Sequence, residues 1–355
     1  MYSLYVNRFK QLSIKTELIE DCLKPRDDIV ARIQFSLIEF YKSLEIYEIY
    51  GSKAVDYVAG LATRYALWTL PEYCRYSDLD ATEAYALWLS LVWLIDGVFD
   101  KFKSYQHIEQ EQKRIIKIIN MAIDGEKQAD KNEEESHLLF NALAKATYLA
   151  YTRYLHLIHE YRRQSPEIFS QITYWLMQYL NTLILTPTVD NLKSYYDWRL
   201  LDGCMMCVVW HLALFLRIKD HTIKELHMSM FHLVSIIVSY HNDIISYYRD
   251  NHQGIPNLIN YFHQKNKMLS VIEAINLINS LYLDLADKFY ELSNKYPNDI
   301  SSIAQLCLGI VEGSHNWCNQ EERYAKGVEM LKSIENDELQ IFDIDDSIVA
   351  GDTTY

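Results

Sequence analysis

Glycine and proline are both scarce, with 10 and 6 in a chain of 355 residues. So little punctuation leaves few places for tight turns, and no stretch alternates polar and apolar residues long enough to demand a sheet. No unbroken run of 18 apolar residues occurs, so nothing reads as a membrane span. The N-terminal MYSLYVNRFKQLSIKTELIEDC has no uninterrupted apolar core of the kind a secretion signal carries. Positive charge is short as well: 34 Lys and Arg stand against 48 Asp and Glu, a net charge of −14. That balance repels nucleic-acid phosphates and anionic membrane surfaces, so an anionic substrate needs a local cluster of cations. The six cysteines, at 22, 74, 204, 207, 307 and 318, are scattered through apolar or helical surroundings instead of forming a dense framework. No Cys/His set has zinc spacing, and the single CxxC of Cys204 and Cys207 lies in CMMCVVWHLALF, where core packing is its ordinary meaning. A soluble, cytoplasmic protein is expected.

What is present is apolar and helical. Half the residues are hydrophobic, and helical periodicity runs through segments 28–66, 80–105, 108–123, 136–163, 167–184, 190–218, 222–250, 269–295 and 300–333. ALWLSLVWLIDGVF is apolar on nearly every side, which places it centrally in a large bundle. The expectation is an all-α, single-domain bundle over 31–333, with a separate N-terminal segment (1–30) and an acidic C-terminal tail (334–355). The histidines at 211, 227, 232 and 241 read as packed or surface residues.

Two acidic clusters interrupt these apolar helices. In WLIDGVFDKF, Asp96 and Asp100 are four residues apart and share one helix face. In SYHNDIISYYRD, Asn242, Ser246 and Asp250 follow at steps of four and project from one face. Carboxylates in such surroundings are costly unless paired or bound to metal. Oxygen donors of this kind favour Mg²⁺ or a similar hard ion. Asp96 and Asp100 by themselves could equally form a helix-end salt bridge. In YYDWRLLDGCMM, Gly203 sits inside a long helical segment at a cost of about 1 kcal/mol relative to Ala, which points to a break beside Arg199 and Asp202. HNWCNQEERYAKG adds Trp317, Arg323 and Tyr324. With Arg249, the donors available for an anion are then Arg199, Arg249, Arg323 and Tyr324.

In order and spacing these motifs resemble a class I terpene synthase of the microbial type, over nearly all of residues 50–330. WLIDGVFD matches the family's Asp-rich motif at Asp96 and Asp100, with Gly97 where the second Asp is usual. NDIISYYRD fits the second motif from Asn242 through Ser246 to Asp250, with Asp in place of the commoner Glu, and Asn257 and Leu258 match the NL that often follows. Arg199, Asp202 and Gly203 fall 43 residues upstream of that motif with the family's internal spacing. The resemblance implies a helical bundle with a central active-site cavity and a Mg²⁺-dependent cyclase acting on a linear C15 or C20 prenyl diphosphate.

 By that resemblance the substrate is farnesyl or geranylgeranyl diphosphate, and ionisation followed by cyclisation gives a sesquiterpene or diterpene.

The resemblance also distributes roles. Asp96 and Asp100 on one wall, and Asn242, Ser246 and Asp250 on the other, would hold three Mg²⁺ ions, with Mn²⁺ as an alternative. Arg199 would sense the diphosphate, Asp202 would link it to the helix break, and the Gly203 carbonyl would assist ionisation. Arg249, Arg323 and Tyr324 would complete the diphosphate clamp. Trp93, Trp317 and Phe99 would turn ring faces to the carbocation. The N-terminal 30 residues would cap the active site, and the chain would be a monomer or homodimer. The tail carries Asp343, Asp345 and Asp346 in a DxDD pattern, which in another class of terpene cyclase supplies a protonating acid and here reads as a solvated charge run. Two alternatives stand beside this reading: a non-catalytic helical binding or scaffold protein derived from a cyclase, and a prenyl-elongating diphosphate synthase, which would need a second Asp-rich motif.

Overall fold

The computed structural model describes residues 24–327 apart from 71, 127–135, 186–190, 220–222, 224, 266–268 and 296. The DxDD run, the acidic tail and residues 1–23 of the N-terminal segment therefore lie outside the described residues. Among those described, every regular element is helical. The first seven helices are α1 (Asp27–Lys42), α2 (Glu45–Tyr50), α3 (Ser52–Thr69), α4 (Glu72–Ser77), α5 (Leu79–Lys101), α6 (Ile108–Asp124) and α7 (Leu138–Leu157). They are followed by α8 (His159–Gln164), α9 (Pro166–Thr182), α10 (Leu192–Asp202), α11 (Met205–Phe215), α12 (Glu225–Gln253), α13 (Leu258–Lys265), α14 (Val271–Lys295) and α15 (Pro297–Gln320), and a 3₁₀ turn at Glu322–Tyr324 closes the described chain.

Helix α5 is the centre of the bundle. Asp78 caps its first turn by accepting from the Ala81 backbone N–H at 3.0 Å, and Asp80 and Lys101 complement the helix dipole at its two ends. Its length and composition would suit a membrane crossing, yet 78% of its most apolar stretch is buried inside the fold. Around it the helices close a ring in which α5 packs on α3, α3 on α15, α15 on α12, α12 on α10 and α11, and these on α9. Helices α6 and α7 complete the circuit back to α5. Apolar burial along these contacts is the main stabilising term.

The long helical segments of the sequence are subdivided. The 28–66 stretch breaks near Ser43 and again at Gly51, whose φ of +113° suits only a residue without Cβ. The 190–218 stretch bends by 49° between Asp202 and Met205. The break falls where Gly203 suggested it, but the left-handed residue is Cys204 at φ 51°, while Gly203 keeps φ −69°. Gly203 is small for a different reason: a Cβ there would lie 3.1 Å from the Arg199 carbonyl and 3.3 Å from Ser239 Oγ.

Candidate active site

The Asp-rich end of α5 presents two carboxylates in unlike states. Asp100 is nearly half exposed and pairs with Lys103 at 2.7 Å. Asp96 points inward and accepts a hydrogen bond from the Tyr179 hydroxyl of α9 at 3.0 Å. Burial, reinforced by the neighbouring charges of Asp100 and Asp202, pushes the Asp96 carboxyl up to about 7. A carboxylate held there without a cation of its own takes up a proton instead.

Helix α10 begins in a capping box, with Asn191 and Ser194 each satisfying the other's backbone N–H. About two turns on, its last turn carries Arg199. The guanidinium donates through Nη1 to Asp202 at 2.9 Å and through Nη2 to Asn242 Oδ1 at 2.8 Å, and Nη2 is also 2.8 Å from Asp243 Oδ1. Burial alone would lower the Arg199 pKa, but the charge of Asp243 overcomes it and holds the group firmly cationic. Asp202 is raised by burial, against the pull of Arg199. Beyond Asp202 the hydrogen-bond ladder of α11 starts at the Cys204 carbonyl, which accepts from Cys207 at 3.1 Å and Val208 at 3.3 Å, so the Gly203 carbonyl precedes it.

The second cluster lies along α12. Asn242 is shared: its Oδ1 accepts from Arg199 and its Nδ2 donates to the Tyr324 hydroxyl at 3.1 Å. One turn further the Ser246 hydroxyl donates to Asp250 Oδ2, and Asn257 Nδ2 reaches the same oxygen at 3.0 Å. Arg249 grips Asp250 Oδ1 through Nε at 3.0 Å and Nη2 at 2.7 Å. Two buried guanidinium nitrogens, Arg199 Nε and Arg249 Nη1, have no hydrogen-bond partner. They are the only arginine donors among the buried side-chain atoms without a hydrogen-bond partner in the described residues, which makes them candidate contacts for an anion.

The chain end returns to close this site. Arg64 of α3 holds Glu321 through two hydrogen bonds, at 2.5 and 2.8 Å. Gly327 is packed so tightly on α12 that a Cβ would meet the Ile245 carbonyl at 2.0 Å. Tyr324 is thereby buried beside Asn242, whereas Arg323 is exposed and lies over the Tyr324 ring at 4.9 Å. Trp93 and Trp317 stack at 5.7 Å between centroids, and Tyr65 meets both edge-on at 5.7 and 5.0 Å. Phe99 does not join them; it is buried against Phe140 at 5.4 Å in a different aromatic cluster.

The family model described as "Terpene synthase family 2, C-terminal metal binding" matches residues 87–288, more than half of the chain. The chain belongs to this terpene synthase family. Its matched region contains both acidic motifs and Arg199. No curated protein matches the sequence. Among solved structures, 2-methylisoborneol synthase from Streptomyces coelicolor A3(2), in complex with Mg²⁺ and 2-fluoroneryl diphosphate, is similar with a TM-score of 0.67 at 13% identity, over 86% of this chain and 95% of that one. Germacradien-4-ol synthase from Streptomyces citricolor gives 0.61 at 15% identity, over 85% and 95%. Linalool/nerolidol synthase from Streptomyces clavuligerus, in complex with 2-fluorogeranyl diphosphate, gives 0.59 at 15% identity, over 83% and 95%. At these identities the likeness is one of fold: the all-α bundle of class I terpene synthases.

Several residues of this candidate site carry no signal, or a different one, in the sequence. Tyr179 had no signal at all. Asp243 sits inside the second motif, and the structure gives it a buried place between Arg199 and the Tyr195 hydroxyl, which donates to its Oδ2. Burial raises Asp243 to about 6, against the opposing charge of Arg199. Asn257 was noted only as part of NL; its amide bridges the Asp243 carbonyl at 2.8 Å and Asp250. The histidines behave as packed residues: His211 is buried between the Tyr154 hydroxyl and the Cys207 carbonyl, each at 2.8 Å, and burial lowers it to about 3.

Proposed function

We propose that the chain is a Mg²⁺-dependent class I cyclase that ionises a linear prenyl diphosphate and cyclises the resulting carbocation. The observation that carries this reading is one continuous polar path: Asp202 to Arg199, Arg199 to Asn242, Asn242 to Tyr324, flanked by the two unpartnered guanidinium nitrogens. The donor types suit a hard divalent ion, since Asp96, Asn242, Ser246 and Asp250 each carry a side-chain oxygen that could ligate it. Asp96, raised by burial and without a cationic partner in direct contact, fits such an ion. Bound there, Mg²⁺ would supply Lewis-acid stabilisation of the leaving group.

The chain's own residues do the rest. Arg199 Nε and Arg249 Nη1 are the free donors for diphosphate oxygens, and Tyr324 adds a hydroxyl. The carbon–oxygen bond of the substrate breaks, its electron pair leaves with diphosphate, and an allylic cation remains. Trp93, Trp317 and Tyr65 are packed on one another, and their ring faces would stabilise a cation without bonding to it. Attack of a substrate double bond on that cation closes the ring, and loss of a proton or addition of water ends the reaction. A C15 or C20 chain is the proposed substrate. The burial of α5 within the bundle supports a protein that does not span a membrane.

The test is incubation of the purified protein with Mg²⁺ and, separately, C10, C15, C20 and C25 prenyl diphosphates, with extraction of volatile products. A cyclic hydrocarbon or alcohol from the C15 or C20 substrate is expected. A linear product of longer chain would instead support a prenyl-elongating synthase, and no product from folded protein would support the non-catalytic reading.

A further inference from the structure

Gly97 lies between Asp96 and the last turn of α5, and the space beside it is filled. A Cβ at this position would stand 2.7 Å from the hydroxyl of Tyr50 and 3.8 Å from its Cζ, so the phenol oxygen alone occupies the place of a side chain. Tyr50 is the last residue of α2, immediately before the turn at Gly51. Its ring is covered by the Lys101 ammonium at 5.7 Å from the centroid, one helical turn after Gly97. Burial, with the nearby charges of Asp96 and Asp100, raises the phenol pKa, which keeps it a neutral hydrogen-bond donor. No hydrogen-bond partner for that hydroxyl occurs among the described residues.

We propose that Tyr50 is a positioning residue of the Asp-rich wall, its hydroxyl taking the place of the side chain missing at Gly97 and donating a hydrogen bond to oxygen ligands of a cation held by Asp96. This rests on the proposed metal-dependent reading of the site. A neutral donor replaces a carboxylate, so the wall keeps a hydrogen bond while adding no third negative charge beside Asp96 and Asp100. The geometry makes the two positions exclusive: any side chain at 97 displaces the Tyr50 oxygen, and removing that oxygen makes room for one.

The experiment is a double-mutant cycle read as Mn²⁺ affinity in the presence of inorganic diphosphate, by the electron paramagnetic resonance of free Mn²⁺, with circular dichroism confirming the fold. Tyr50→Phe should weaken Mn²⁺ binding about fivefold, the effect of one hydrogen bond. Gly97→Ala should cost about the same, because it pushes the hydroxyl aside. Tyr50→Phe combined with Gly97→Ala should be no worse than either alone, since both remove one interaction. Unchanged affinity in Tyr50→Phe, or effects that multiply in the double variant, would overturn the assignment of Tyr50 while leaving the metal site standing. Absence of Mn²⁺ binding by the unaltered protein would overturn the metal-dependent reading itself, and this inference with it.

Discussion

Asp96, half-buried, and Asp243, fully buried, are both carboxyls raised above their ordinary range, but their neighbours differ, and so do the expected consequences. Asp96 is held at about 7 by burial and by the charges of Asp100 and Asp202. A carboxyl that binds its proton more tightly when folded contributes stability below its unfolded pKa and loses it as pH rises through the folded value. Thermal unfolding without metal should therefore show the protein losing stability relative to Asp96→Asn between about pH 4 and 8. A constant difference across that range would contradict the raised carboxyl of Asp96. The same variant should lose most turnover while keeping its helicity. Asp243 has Arg199 as its counter-charge. Arg199→Gln should destabilise by about 3 kcal/mol at pH 8, where Asp243 is left ionised and uncompensated. It should destabilise less at pH 5.5, where Asp243 can protonate; denaturant unfolding at the two pH values checks the sign. The sequence motifs marked Asp96, Asn242 and Asp250 because the spacing within each motif follows one helix face, and Arg199 by the break at Gly203 and the family's spacing. They could not mark Tyr179 or Arg64, whose roles come from contacts across helices and leave no local pattern.

Among the elements, the bend between α10 and α11 has the most bearing on the site, because it sets where Arg199 and the Gly203 carbonyl lie. A helix-interior glycine was enough to locate the break in the sequence. Which residue would turn left-handed was not legible, since Cys204 takes that conformation under tertiary constraint against its own preference. Gly203→Ala tests the close approach to Ser239. We expect a loss of about 1 kcal/mol in thermal or chemical unfolding, partly relieved when Ser239→Ala is added, because the Ser239 oxygen is then gone while the Arg199 carbonyl contact remains. Equal stability of Gly203→Ala and the unaltered protein would mean that the glycine is not required for packing. Helix boundaries at Ser43 and Gly51 were missed for a related reason: the apolar periodicity continues through both.

For the whole molecule, the scarcity of glycine and proline and the continuous helical periodicity were sufficient for an all-α bundle. They do not fix the order in which helices neighbour one another, which depends on pairwise packing. The ring joins α10, α12 and the returning chain end in one polar path from Arg199 through Asn242 to Tyr324, and α5 and α9 in a separate Asp96–Tyr179 hydrogen bond. Ligands bound to that path should stabilise the whole ring. Mg²⁺ with inorganic diphosphate is expected to raise the unfolding temperature by more than the sum of the two separate shifts, and a shift no larger than that sum would contradict joint binding.

The most direct measurement is release of inorganic diphosphate from farnesyl and geranylgeranyl diphosphate, with Mg²⁺ and with the metal chelated. The account predicts release from at least one of them in Mg²⁺ and none after chelation. Release that persists without metal, or no release from either by folded protein, would contradict it.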